Sequence, residues 1–566
     1  MAQRQRIAIG TENYKEMVDK DYYYVDKTLL IKELLDSGGK VTLLTRPRRF
    51  GKTLALSMLR TFFEEEISAD GTRIDNSYYF TGCKILQAGE AYLCHMGRHP
   101  VISLTLKSAK QADFETAYDN ILDAISREYI RHRYVLLGDS LTEMQRHQYD
   151  DIMNRRVESS VWTRALAFLS QCLEQYHNRR VMILLDEYDV PLESAYFRGF
   201  YGKMILFIRA LFESALKTND SLELAVITGC LRISGESVFT GLNHMKIASV
   251  LSREFVSCFG FTEAEVRAML HAYELDEKAE EVCRWYDGYL FGGIGVYNPW
   301  SVINYIKELT LDFQAFPRPY WSNTSSNDIV RNLVESADNQ AKSELEELIA
   351  GRTIEKSIYE DVTYEDMRRS RDSLWSFLLF TGYLKVVSQR MEADVIYARL
   401  KIPNEEIRYL YKTHIREWFD RKIRQADLRP FYENLLEGNS EEMALFITGQ
   451  LSSSISYYDN AENFYHGYLI GLLSGLEGYR VDSNKEHGYG RPDILLTPFD
   501  YKRPVIILEL KCAQKFSQME ELCANALAQI ESRDYASGLL DEGYLQIIKY
   551  GVCFCRKSCL VKTWEK

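Results

Sequence analysis

The feature that most constrains this chain is a Gly51-Lys52-Thr53 triplet between an apolar run, Val41–Thr45, and an amphipathic stretch from Thr53 to Glu66. A strand that enters such a turn and leaves it as a helix is the setting of a phosphate-binding loop, and it commits the segment to an α/β fold. The helix N-terminus offers unpaired N–H groups and the positive end of the backbone dipole to a phosphate. Gly51 lets the backbone come close, Lys52 reaches the β and γ phosphates of ATP, and the Thr53 hydroxyl ligates Mg²⁺. The residues leading into the triplet, Arg46, Pro47, Arg48, Arg49 and Phe50, are expected to belong to the same nucleotide site. One position departs from the usual pattern. Arg46 stands where the first glycine belongs, and Pro47 biases it toward extended backbone, so the loop must enter its cradle differently. Arg48 and Arg49 either add positive charge for the phosphates or are solvated loop arginines.

A second motif supports the first. Val181–Leu185 is an apolar strand that runs into Asp186-Glu187, the form of a Walker B motif. Asp186 would hold Mg²⁺, and Glu187 would orient and activate the attacking water. Thr228 ends the next apolar run, where it either senses the γ phosphate or caps a strand end, and the same two readings apply to Arg232 beyond it. Buried runs at Val41–Thr45, Val101–Leu106, Val181–Leu185 and Leu224–Thr228, with helical stretches such as Ser160–Tyr176 between them, predict a mainly parallel sheet covered on both faces.

At 566 residues the chain is too long for one ordinary domain. Pattern changes place an ATPase domain at 1–261, a mostly helical region at 262–400, a helical connector at 401–454 and a compact α/β unit at 455–566. Thr262 with Glu265 forms a capping box, so a helix starts there. The opening MAQRQRIAIG lacks the apolar core of a signal peptide, and no run approaches the roughly 18 apolar residues of a membrane helix. The expectation is a cytoplasmic protein without a membrane partner. Eleven scattered cysteines, with no Cys-x-x-Cys pair, fit reduced thiols in that compartment. The formal charge of −12 argues mildly against a nucleic-acid partner, so any such contact must use a local basic surface.

The C-terminal unit nevertheless carries the residues of a phosphodiesterase. Arg491-Pro492-Asp493 opens one apolar run, and Glu509 and Lys511 lie two apart in the next, Val505–Lys511. Residues two apart in a strand share a face, so Glu509 and Lys511 project together while Leu508 and Leu510 face the other side. With Asp493 on a neighbouring strand, two carboxylates and an ammonium converge. Carboxylates and waters suit Mg²⁺, and the lysine orients water or stabilises the charge on a scissile phosphate. Glu462, on a helix just upstream, and Gln529, on the helix that follows, complete the candidate set. His466 shares a helical face with Glu462 but reads as structural, and Arg491 contacts either phosphate or a nearby acid.

With these motifs placed, the chain resembles bacterial AAA-ATPase-like proteins that end in a PD-(D/E)XK nuclease domain. The likeness rests on YYYVDKTLLIKELL (22–35), RPRRFGKTLALSML (46–59), LLDEYDVPL (184–192), ITGCLRISGESVFTGLN (227–243), WYDGYLFG (285–292), YNPWSVINYI (297–306), YWSNTSSN (320–327), LWSFLLFTGYL (374–384), IPNEEI (402–407), GYGRPDILL and IILELK. The resemblance implies an AAA+-like P-loop domain, a helical lid, a winged-helix-like region and a C-terminal nuclease-like α/β domain. It makes an arginine at position 46 a family feature, puts Asp26 and Lys27 near the nucleotide, and gives Asp189 a supporting role beside Asp186. The activity it implies is an ATP-regulated, Mg²⁺-dependent nuclease, with Asp493, Glu509, Lys511, Glu462 and Gln529 as catalytic residues and Asp493 and Glu509 as metal ligands. The partner is nucleic acid, with DNA placed ahead of RNA. A homo-oligomer stays open, because AAA+ sites often lie between subunits. The rival reading is a nucleotide-dependent switch whose C-terminal module binds nucleic acid or a protein without cleaving.

Overall fold

The computed structural model describes residues 4–233, 239, 245–321, 339–361, 364, 371–392, 394–414, 427–452, 462–483, 492–533 and 537–564. It resolves into two compact units, one of residues 1–325 and 353–409, the other of residues 326–352 and 410–566. Among the described residues no helix is long and apolar enough to cross a membrane.

The first unit is built on a five-stranded parallel sheet of β1 (Val41–Thr45), β2 (Val101–Thr105), β3 (Val181–Asp186), β4 (Leu222–Gly229) and β5 (Met245–Ala248), in the order β2-β3-β4-β1-β5. Four of these strands fall where the apolar runs predicted them. The fifth, β5, is too short and too mixed to stand out; only Ala248 in it is buried. Strands β1 and β3 are buried throughout, as a parallel sheet covered on both faces requires. The helix expected at 160–176 is observed as a short turn, Ser159–Trp162, and a main helix, Ala165–His177, separated at Thr163 and Arg164.

Helix α1 (Lys52–Phe63) leaves β1 through the glycine-lysine-threonine turn. Gly51 sits at φ +86°, a conformation that a side chain would strain. Helix α2 (Glu263–Ala272) starts at the expected capping box, with the Thr262 N–H donating to Glu265 at 2.8 Å. Beyond it, the hairpin β6 (Tyr289–Phe291) and β7 (Ile294–Val296), helix α3 (Pro299–Leu311) and a small antiparallel sheet of β8 (Ile354–Ile358), β9 (Lys385–Glu392) and β10 (Val395–Lys401) all belong to this first unit.

The second unit carries a mixed sheet of β11 (Tyr479–Ser483), β12 (Ile494–Pro498), β13 (Val505–Cys512), β14 (Ile547–Cys555) and β15 (Ser558–Thr563), in sequence order. Only β13 and β14 pair in parallel; the other pairs are antiparallel. The parallel pair needs a crossover, and helix α5 (Met519–Ser532) lies in it, while helix α4 (Glu462–Leu473) precedes the sheet. Helix α5 packs closely on β14 because Gly551 has no side chain: a Cβ there would lie 2.4 Å from the Cys523 carbonyl oxygen. None of the eleven cysteines is in a disulfide.

Candidate nucleotide and metal sites

The C-terminal ends of β1, β3 and β4 converge on the loop around Lys52. The Lys52 Nζ donates to the carbonyls of Arg46 at 2.8 Å and Pro47 at 2.9 Å, which curls the loop over the ammonium. The Thr53 hydroxyl donates to one oxygen of Asp186 at 2.8 Å, and the Thr228 hydroxyl donates to the other at 2.6 Å. Three motifs far apart in sequence thus meet at one carboxylate. A hydroxyl and a carboxylate this close, below a helix N-terminus, fit a hydrated Mg²⁺. Glu187 adopts φ +52°, an uncommon backbone state for a residue with a side chain. Burial, then the neighbouring Asp186, raise its pKa above the ordinary carboxylate value, while Lys52 and Lys107 pull it back.

The loop runs beside a cavity of about 310 Å³, lined by Arg48 to Ala55, by Lys107, Lys110 and Glu187, by the N-terminal segment Ala8–Glu12, and by Trp300 and Ile303 on α3. Its size and mixed lining suit a nucleotide.

Arg46 plays a different part from the one expected of it. Its guanidinium is fully buried and points away from the cavity, donating to the carbonyls of Thr45 and Ala248 at 2.8 Å and of Phe255 at 3.1 Å. It also lies over the ring of Phe291, with the centroid 5.0 Å away. Burial lowers its pKa to about 10. The arginine that replaces the glycine therefore braces the loop from below, and only its carbonyl faces Lys52. Pro47 packs near Gly382, Phe50 is buried edge-on against Tyr289, Arg48 pairs with Glu193, and Arg49 stacks 4.3 Å from the Trp300 ring centre.

In the second unit Asp493 immediately precedes β12, whose first residue, Ile494, pairs with Leu508 of β13. Its Oδ2 accepts the Leu510 N–H at 2.8 Å, which fixes the carboxylate beside Glu509. Glu509 is 1% exposed; its Oε1 accepts from Gln529 of α5 and lies 3.5 Å from the Lys511 ammonium, while its Oε2 is buried without a hydrogen-bond partner among the described residues. Burial, and secondarily the charge on Asp493, raise the Glu509 pKa to about 7. An unpartnered, buried carboxylate oxygen beside a second acid is an energetic liability that a cation removes. Among the described residues no three His, Cys, Asp or Glu side chains gather as a cage. Two carboxylates with open positions suit Mg²⁺, which keeps several waters.

Residues 8–239 match the family model described as predicted AAA-ATPase, and residues 460–564 match that of the PD-(D/E)XK nuclease superfamily. The chain carries both domains. A protein of Azotobacter chroococcum mcd 1, described as an uncharacterized protein in the vnfD 5' region, is 27% identical over 414 residues, covering 72% of this chain and 69% of its own length.

Within the AAA-ATPase-like domain, Asp26 caps a helix start by accepting from the Thr28 N–H at 2.8 Å, and Lys27 lines the cavity while held by Glu265 at 2.7 Å. Asp189 accepts from the Cys230 N–H at 2.7 Å and the Leu231 N–H at 3.2 Å, so it fixes the loop that leaves β4. Tyr188 does the same through the Leu231 carbonyl at 2.6 Å. Arg232 pairs with Asp361 at 2.6 Å and does not line the cavity. Within the PD-(D/E)XK domain, His466 lies 2.8 Å from the Asp493 carbonyl oxygen and 3.1 Å from the Ser483 hydroxyl, a structural brace for the acid. Glu462 begins α4, but its side chain, like Arg491, lies outside the described residues. Sequence reasoning missed the cavity residues Glu12 and Lys107. The one available signal was that Lys107 directly follows the apolar run Val101–Leu106.

Proposed function

We propose that this chain is an ATP-regulated nuclease: the AAA-ATPase-like domain binds and hydrolyses ATP, and the PD-(D/E)XK domain cleaves nucleic acid, DNA first among the candidates, in a Mg²⁺-dependent reaction. The observation that carries this reading is the convergence of Asp493, Glu509, Lys511 and Gln529, with Glu509 Oε2 buried and without a partner among the described residues. A bound Mg²⁺ supplies Lewis-acid stabilisation of the scissile phosphate and a more acidic water. Asp493 and Glu509 would hold it, Gln529 fixes the Glu509 carboxylate, and Lys511 offers its ammonium to the attacking water or to the phosphate charge. In the other domain Lys52 binds the phosphates, Thr53 and Asp186 would hold the cation, Thr228 orients Asp186, and Glu187 takes the proton of the attacking water.

The test uses purified protein with DNA or RNA and Mg²⁺ or Mn²⁺, with and without ATP. Cleavage that Lys511→Ala abolishes supports the reading; wild-type protein no more active than Lys511→Ala on any substrate overturns it. The net charge of −12 favours a rival, a nucleotide-dependent switch whose C-terminal domain binds without cutting. Calorimetry separates the two, since a nuclease site takes up Mn²⁺ in a manner that Glu509→Gln removes.

A further inference from the structure

The cations around the nucleotide cavity differ in how firmly they are already held. Lys27 is gripped by both oxygens of Glu265 and by the Ser257 carbonyl. Arg48 is paired with Glu193, Arg49 lies on Trp300, and Lys52 holds two carbonyls. Arg232, the other cation expected at the γ-phosphate end, is tied to Asp361. Lys107 is held less firmly than these. Its ion pair with Glu12 spans 2.6 Å, and the two side chains are 52% and 45% exposed. An exposed pair of this kind contributes little net stability and is readily exchanged for a stronger anion.

Its position is specific. Lys107 follows β2, where Thr105 pairs with Asp186 and the Leu106 N–H donates to the Asp186 carbonyl at 3.0 Å. It lines the same cavity as Lys52, Thr53 and Glu187. Glu12, its present partner, belongs to the N-terminal segment on the cavity wall. On the nucleotide reading above, the γ phosphate of a triphosphate would lie toward Glu187, where it would repel Glu12 and attract Lys107; a diphosphate lacks that group.

We propose that Lys107 is the cation that reads the terminal phosphate, held by Glu12 until a triphosphate displaces that acid. The proposal rests on the nucleotide reading above. In hydrolysis, the water oxygen bonds to the γ phosphorus and its proton passes to Glu187, which later releases it to solvent. The bond to the β–γ bridging oxygen breaks, leaving its electron pair on ADP. Lys107 neutralises the γ oxygens throughout and transfers no proton.

The test measures binding of ATPγS and of ADP to the full chain, in Mg²⁺, by calorimetry. Lys107→Ala should weaken ATPγS by about 10- to 100-fold and leave ADP within about twofold. Lys107→Arg should restore most of the loss, because the charge returns. Glu12→Gln should tighten ATPγS and not ADP, because the competing acid is gone. A merely structural lysine would weaken both ligands together. An unchanged ratio of ATPγS to ADP affinity in Lys107→Ala overturns the proposal, as does loss of both in equal measure. Lys52→Ala keeps the two readings distinguishable: if it binds both nucleotides as the wild type does, the nucleotide reading itself fails.

Discussion

The two candidate sites solve the same electrostatic problem in opposite ways. In the AAA-ATPase-like domain the key groups of the site have protein partners: Lys52 rests on two carbonyls, and both oxygens of Asp186 accept from threonines. In the PD-(D/E)XK domain one oxygen of Glu509 is buried with no partner among the described residues, beside a second acid. The first site is satisfied by its own hydrogen bonds, which on the proposed reading a nucleotide and its cation would exchange for theirs. The second holds its acids in a geometry that is costly alone and that a cation would make favourable, as in preorganised metal sites.

The sharpest way to break this contrast is Glu509→Gln. It removes the charge and leaves the shape, so cleavage should fall by at least about 100-fold, read as cut substrate, with circular dichroism unchanged. Survival of cleavage would remove the second site from the comparison.

Arg46→Leu probes the first site where it departs from the usual loop. It should cost about 3 kcal/mol in denaturant unfolding, because buried carbonyls of Thr45, Ala248 and Phe255 lose their donor. A phosphate-contacting arginine would instead leave stability almost unchanged and weaken ATP.

The pH dependence of the second site follows from Glu509, whose pKa is raised to about 7. In the window from its unfolded value to about 7, the folded state holds more protons than the unfolded one. The contribution of Glu509 to stability is therefore greatest at acid pH and is lost as pH rises. In chelator, Glu509→Gln should gain stability over wild type at pH 8 by roughly 2 kcal/mol, and the gap should close toward pH 4.5. Parallel stability curves for the two proteins would contradict the buried, unpartnered carboxylate.

The smallest effect is expected from Thr228→Val, which takes one donor from buried Asp186. It should cost about 1–2 kcal/mol and weaken the Mg²⁺ dependence of ATP binding in calorimetry. Equal affinity with and without the hydroxyl would show that Thr228 is only a strand end.

Much of this molecule was written in short local patterns, and those were readable. An apolar run, a glycine and a helix amphipathicity are local requirements of backbone geometry, so four of the five parallel strands, the start of α1 and the capping box at Thr262 could be placed from the string. The pairing of Glu509 with Lys511 followed from the period of a strand. What the string could not carry was which groups meet after the chain has turned back on itself. That Arg46 faces Ala248 and Phe255 instead of the cavity depends on contacts about two hundred residues away. Thr228 on Asp186 and Glu12 on Lys107, 42 and 95 residues apart, likewise meet only in the fold. Sequence fixed the residue types that phosphate and metal chemistry need, because those are properties of side chains. Tertiary structure alone decided which of their hydrogen bonds are satisfied, because partnership and burial depend on groups brought together across the fold.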